Sequence, residues 1–282
     1  MRRALGLILL SVLVVLTGCS GVFGGSGEPT ETVTPAAVPT DEPTPTPAPR
    51  LAPGITEQGI VSPRALVVAH QSFLQNRSFT RRSNSTALAA NGSTVLRTTS
   101  SLRAGPPGEG LYSVIERNGS YVSQESATIS TRSEAWWDGG QYVVRRTFSN
   151  GTTTYGQPSN SVTRANIGTG TLPYLLESFG TNDTTVTDRL TRNGTTLYRV
   201  EGTSDGPRQP NTTLRLLVDS RGVVHEYTTI RQLSTGPAVS RSVTKTRLVA
   251  INETDAPERP SWVDDALNQT TSTASSGTEL AG

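Results

Sequence analysis

The sequence predicts an α+β fold, mainly antiparallel β: a long curved sheet of roughly eight to eleven strands with two or three helices packed on its concave side. Three observations carry this. Asn91-Gly92, Asn118-Gly119, Asn150-Gly151 and Asn193-Gly194 each separate runs rich in Thr, Val and Tyr, the strongest short-range hairpin signal. Within the runs, apolar residues recur at period two. Leu214, Leu216 and Val218 share a face, as do Val223, His225 and Tyr227 on the next strand and Tyr142, Val144 and Phe148 earlier. The opposite face carries Arg, Thr and Ser, as in an antiparallel sheet with one solvated side. The third observation is an amphipathic helical segment ahead of all the strands. A sheet this long must curl or split; with one apolar face and few helices, it curls and is covered on its concave side.

Taken in order, the chain opens on Arg2 and Arg3, an apolar run from Ala4 to Val15, and Leu16-Thr17-Gly18-Cys19. This is a leader ending in a lipobox, where cleavage frees the only cysteine for lipidation. Spanning hydrocarbon takes about 20 apolar residues, and the run is shorter and broken by Gly6 and Ser11. The expectation is therefore a lipid anchor at Cys19 on the extracellular face of a membrane, not a retained helix. The Arg pair leaves open whether export is general or twin-arginine. With Cys19 lipidated, no thiol remains for a disulfide.

From Ser20 to Pro53 the chain is Gly-rich, then Thr/Pro-rich, with little to bury. Such a segment stays extended, with a reach on the order of 100 Å. Ser62-Pro63 then starts a helix, a hydroxyl cap followed by proline in the first turn. Leu66, Val67, His70, Phe73 and Leu74 mark its buried stripe through Gln75. Asp138-Gly139-Gly140 and Ser220-Arg221-Gly222 add two further turns. Thr171 to Phe179 reads as a short helix after Pro173, and a last helix runs from Ser261 through Trp262 to Leu267. The expected divisions are a signal peptide at 1–18, a disordered tether at 19–53, the curved-sheet domain at 54–268 and a disordered polar tail at 269–282.

The formal charge of +2 belongs to the leader: without Arg2 and Arg3 the chain has 23 basic and 23 acidic residues. A neutral mature chain removes the electrostatic basis for binding nucleic acid. Of 12 asparagines, ten stand in N-x-S/T sequons: Asn76, Asn84, Asn91, Asn118, Asn150, Asn182, Asn193, Asn211, Asn252 and Asn268. Chance would give roughly three in a chain about a quarter Ser and Thr. Turn formation explains the Asn-Gly cases, and the ten together are candidates for N-glycosylation.

Chemical motifs are sparse. Gly202-Thr203-Ser204-Asp205-Gly206 matches a nucleophile elbow in letters, but Pro207 and Pro210 stand where its helix must start. The base would be His225, inside a strand. His70 and His225 are the only histidines, and no carboxylates cluster to complete a metal site, so neither metal nor cofactor is expected. His70 on the apolar stripe reads as a hydrogen-bonded core residue. Asp264-Asp265 reads as a solvated face, and Gly168-Thr169-Gly170 lacks the third glycine and basic residues of a phosphate loop. Neighbours on a strand face opposite ways, so one of Trp136 and Trp137 packs in the core and the other lies exposed or at a groove mouth. No enzymatic activity is expected.

The order of lipobox, Thr/Pro tether, GIVSPRALVVAHQSFL (Gly59–Leu74), AWWDGGQYVVRR (Ala135–Arg146), LYRVEG (Leu197–Gly202) and LRLLVDSRGVVHEY (Leu214–Tyr227) resembles haloarchaeal surface lipoproteins of uncharacterised function. Those resemble the curved half-barrels of LolA-like, LppX-like and RseB-like lipoproteins. The resemblance covers about Leu51 to Leu267 and departs in charge, since such surface proteins are usually strongly acidic. It implies a half-barrel whose concave face binds an apolar, lipid-like ligand or a segment of an envelope protein. Trp136, Tyr142, Val144, Leu216 and Tyr227 are the ligand-face candidates. The competing reading is a structural, adhesion or sensor module of the envelope whose concave face is its own core.

Overall fold

The computed structural model describes residues 48–119, 130–157, 163–179, 183–206, 211–233 and 239–276. The leader, Cys19, the tether through residue 47, Asn182 and residues 277–282 lie outside them.

A small antiparallel sheet comes first: β1 (Arg50–Ala52), β2 (Ile55–Thr56) and β3 (Gly59–Ile60). Its first strand falls inside the stretch assigned to the tether. Helix α1 (Pro63–Gln75) follows as expected, with Ser62 Oγ accepting from the Ala65 amide and Leu66, Val67, His70 and Leu74 buried. The first meander is β4 (Phe79–Leu88), β5 (Thr94–Ala104), β6 (Leu111–Asn118), β7 (Ser130–Trp137), β8 (Tyr142–Phe148) and β9 (Thr153–Gly156). Helices α2 (Arg164–Thr169) and α3 (Leu172–Glu177) lead to a second meander. It comprises β10 (Thr184–Arg192), β11 (Thr195–Ser204), β12 (Thr212–Asp219), β13 (Val224–Gln232) and β14 (Arg241–Val249). Helix α4 (Trp262–Ser276) closes the described chain.

The two meanders form one eleven-stranded sheet in the order β10-β11-β12-β13-β14-β4-β5-β6-β7-β8-β9, antiparallel throughout. The last strand, β14, pairs with the first large strand, β4, so β9 and β10 are left as the two edges. The chain between them must therefore cross the sheet, and it carries α2 and α3 over one face. We call that the inner face. Against it, Leu66, Val67, Leu172, Leu175 and Leu176 pack on Val200, Leu214, Leu216 and Tyr227. Beside them, Leu74 and Ile167 pack with Phe79, Leu102 and Leu111.

The hairpin reading holds at Asn91-Gly92, Asn150-Gly151 and Asn193-Gly194, which join consecutive paired strands. At the last, both residues have positive φ, 49° and 72°, the mirror-image turn that matches strand twist. Asn118-Gly119 differs: the last described pair of β6 and β7 is Glu116 with Arg132, so the dipeptide is not the two-residue turn between them, and residues 120–129 lie outside the described residues. Three helix expectations are also corrected. Helix α2 went unread, because six residues containing Gly168 show no periodicity; its start is fixed by Thr163 Oγ1, which accepts from the Asn166 amide. Helix α4 runs past Leu267 to Ser276, into the stretch assigned to the tail. And α4 lies on the outer face, where Trp262, Val263 and Ala266 pack on Trp136 and Val143.

Candidate functional site

Strand register settles where the ligand-face candidates point. Tyr112, Trp136 and Val143 are cross-strand partners, as are Leu111, Trp137 and Tyr142. Partners share a face and neighbours alternate. Leu111 and Trp137 belong to the inner cluster, and Trp136 to the outer cluster with Trp262. Trp136 therefore does not join the other four candidates, a correction that follows from the side-chain period of two. Tyr142, Val144, Leu216 and Tyr227 do face inward. However, Leu216 on β12 and Tyr227 on β13 are separated from β8 by six and five strands and are buried beneath α1 and α3. They form core, not a shared ligand surface with Tyr142 and Val144.

The inner face changes character along its strands. At the end nearer Phe79, Leu102 and Leu248 it is apolar and filled by the helices. A cavity lined by His70, Arg81, Thr169, Tyr227 and Thr246 measures about 10 Å³, room for a single water. At the other end Ser83, Ser85, Ser100, Ser133 and Thr244 face inward, all half-buried, with the half-buried Ile115 as register partner of Ser100 and Ser133 and with Ala87 and Leu96 on the same face. Ser85 Oγ and Thr244 Oγ1 lie 2.8 Å apart, and Thr246 Oγ1 donates to Ser83 Oγ at 3.0 Å. Arg117 donates to the Ser130 carbonyl and to Ser133 Oγ, with the exposed Arg146 on the same face. Burial, then the Arg146 charge, lowers the Arg117 pKa. This hydroxyl-lined half, with its arginines, is what sequence reasoning missed. On β4, β5 and β14 polarity changes along the strand as well as across it, so period-two counting averages it away.

Helix α1 is pinned to β13 through His70, 4% exposed, whose Nδ1 accepts from the Val224 amide at 3.2 Å. Burial, with positive charge from His225 and Arg81, pushes its pKa down to about 4. In the adjoining turn Asp219 accepts from the Arg221 and Val223 amides, from the Arg221 guanidinium and from His225 Nε2. Burial pushes its carboxyl up, but these bonds outweigh it and hold the pKa well below the usual carboxylate range.

On the outer face Glu134 is 3% exposed and takes bonds from Tyr112, Arg132 and Arg145. The Arg145 guanidinium lies 5.1 Å from the Trp262 ring, joining this buried ion cluster to α4. Burial and the Glu134 bond push the Tyr112 hydroxyl up to about 12.

The remaining motifs fall apart in space. Ser204 ends β11 and donates to the Ser178 carbonyl. Its register partners, Thr212 and then Arg231, lie six residues along β13 from His225, roughly 20 Å. Gly168 packs where a side chain would meet Phe79 and Leu74, and Thr169 Oγ1 donates within its own helix. Arg81 caps the end of α2 by donating to Ile167 and Gly168 carbonyls. Asp264 and Asp265 are exposed, Asp264 pairing with Arg259 at 2.8 Å. Among the described residues no group of three or more His, Cys, Asp or Glu could hold a metal ion, and no helix is long and apolar enough to cross a membrane. Nine of the ten sequon asparagines are described, and all nine are exposed.

No protein-family model matches the chain, and no curated protein matches it. Among solved structures, it is similar to LprF from Mycobacterium bovis at 10% identity and a TM-score of 0.36, over 70% of this chain and 96% of that one. A LolA superfamily protein from Nitrosomonas europaea gives 11% identity and a TM-score of 0.26, over 70% and 96%. MucB in complex with MucA gives 10% and 0.31, over 72% and 58%. At these TM-scores the likeness carries no argument about function, and the fold class rests on the eleven-stranded sheet itself: a mainly antiparallel α+β chain built on a long, curved, open sheet.

Proposed function

We propose that the chain is a membrane-anchored, extracellular, non-enzymatic module that binds an extended, hydrophilic segment of an envelope protein along the hydroxyl-lined half of its inner face. One observation carries the choice of a polypeptide over an acyl or isoprenoid chain. Where α1, α2 and α3 cover the apolar half, the cavity beside His70 and Tyr227 measures about 10 Å³, whereas ligand pockets run to roughly 300 Å³ or more. The open groove of about 360 Å³ beside β10 is lined by Glu57, Asp188 and Arg189 as well as by Leu51, Val186 and Tyr198. Among the described residues no helix packs on the other half of the inner face, which offers Ser and Thr hydroxyls and the Arg117 and Arg146 guanidinium groups beside Ile115. These suit backbone carbonyls and carboxylates. The anchor reading is supported by the lipobox and the tether; Cys19→Ser should move the protein from the membrane to the soluble fraction.

The test places a photo-crosslinking residue at Ser100 or Ser133 on the inner face, and at Thr99 on the outer face, in the full chain in its native membrane. A discrete protein adduct from the inner positions alone supports the proposal. Equal adducts from both faces, or stoichiometric lipid in native mass spectra, would overturn it. No adduct from either face would leave the structural envelope module as the better account.

A further inference from the structure

The sequons differ in what their two reacting groups can reach. N-glycosylation needs the asparagine carboxamide and the hydroxyl two residues on, both presented to an enzyme. At Asn91 both are exposed, and Oδ1 accepts from the Ser93 amide at 3.0 Å and from Ser93 Oγ at 2.7 Å. At Asn150 both are exposed, and Oδ1 accepts from the Thr152 amide at 2.9 Å. In each turn the oxygen is held by the backbone amide two residues on, with both sequon residues exposed. Asn76 and Asn252 are the opposite case. Ser78 and Thr254 are buried, Thr254 Oγ1 donates to the Ala250 carbonyl, Asn76 Nδ2 donates to the Ser72 carbonyl, and Asn252 Oδ1 accepts from Arg77.

From this contrast we infer that the folded protein is N-glycosylated at the hairpin tips, Asn91 and Asn150, and not at Asn76 or Asn252. Antiparallel alternation puts both tips at one end of the sheet, together with Asn118 at the end of β6 and Asn211 before β12. The glycans would form a collar beside the hydroxyl-lined half of the inner face and leave its strands uncovered. In the reaction Nδ2 bonds to the anomeric carbon of a sugar. The bond from that carbon to its phosphate-linked carrier breaks, Nδ2 gives up a proton, and the carrier phosphate leaves. The inference rests on the extracellular placement proposed above.

The test is glycopeptide mass spectrometry on the full chain recovered from its native membrane, with the state of Cys19 read in the same sample. Sugar on the Asn91 and Asn150 peptides and none on those of Asn76 and Asn252 is the expected result. Ser93→Ala and Thr152→Ala should each abolish modification at their own site, and Ser93→Thr should retain it. Lipid at Cys19 with bare Asn91 and Asn150 would sink the inference and leave the placement standing. Absence of both lipid and sugar would sink the two together. Equal occupancy at all four sites would mean that modification precedes folding, and would overturn the selection argued here.

Discussion

Acidification should unlock the pin between α1 and β13. The groups facing His70 are His225, Arg81 and Asp219, and burial with the first two keeps the folded-state pKa at about 4 against 6.5 in the unfolded chain. Above pH 6.5 the ring is neutral in both states and the Val224 amide keeps its acceptor. As pH falls through 6.5 the unfolded chain takes up the proton first, so stability declines until the folded form also protonates near pH 4, and then levels off. At about 1.4 kcal/mol per pH unit, the gap corresponds to about 3 kcal/mol. For a domain of this size that lowers Tm by roughly 6–12 °C. The assay is thermal unfolding followed by circular dichroism at pH 7, 6, 5 and 4, on the wild type, His70→Gln and His225→Gln. Glutamine at position 70 retains an acceptor for the Val224 amide but does not titrate, so its Tm should stay nearly flat over this window. If the wild type and His70→Gln lose the same Tm between pH 6.5 and 4, the reasoning is wrong. Asp219 acts in a separate, more acidic window. Its folded-state pKa is depressed, so its contribution is present above the usual carboxylate range and is lost only as pH falls below it.

Three further outcomes follow from the packing. Gly222 (φ 84°) and Gly92 (φ 82°) pose the same backbone problem, but an added Cβ at Gly222 would lie 2.8 Å from Ala69 and at Gly92 would meet nothing within 4 Å. Gly222→Ala should therefore lose roughly 1–3 kcal/mol more than Gly92→Ala in urea unfolding; equal losses would exclude the close approach to α1. Glu134→Ala strips the Arg132, Arg145 and Tyr112 bonds from a buried carboxylate site and should cost about 3–5 kcal/mol, with a change in tryptophan fluorescence, lost in a Trp262→Phe background, reporting the loosened α4. Leu216→Ala should cost about 2–5 kcal/mol, since the side chain is buried core beneath the helices. A loss under about 1 kcal/mol, accompanied by lipid uptake, would instead mark it as a ligand contact.

How far the sequence could be read depends on the range of the interaction concerned. Ser62-Pro63 and the stripe through Leu74 specify α1 because capping and a period of 3.6 are local properties. Asn193-Gly194 specifies its hairpin because few residues other than Asn and Gly accept positive φ so cheaply. Asn118-Gly119 shows the limit: the same dipeptide ends a strand whose partner begins eleven residues later, and a turn signal says nothing about what lies beyond it. The candidate site was read less well. Period two correctly grouped Tyr142 with Val144 and Leu216 with Val218, but it cannot say which face of one strand continues a face of another. Trp136 was misassigned for that reason.

The sequence by itself therefore determined the fold class, the hairpins at Asn91, Asn150 and Asn193, the first helix and the sequons, because each rests on patterns among residues within a few positions of one another. Only the tertiary structure decided what each face is for. Joining β14 to β4 pairs residues about 160 positions apart, such as Thr244 with Ser85, and turns two amphipathic meanders into one sheet. It leaves the edges so far apart that the connecting helices must cross the inner face, where the described helices fill the apolar half and not the half that carries the hydroxyls. Burial of apolar area drives that crossing, and no local pattern in the chain records where it ends.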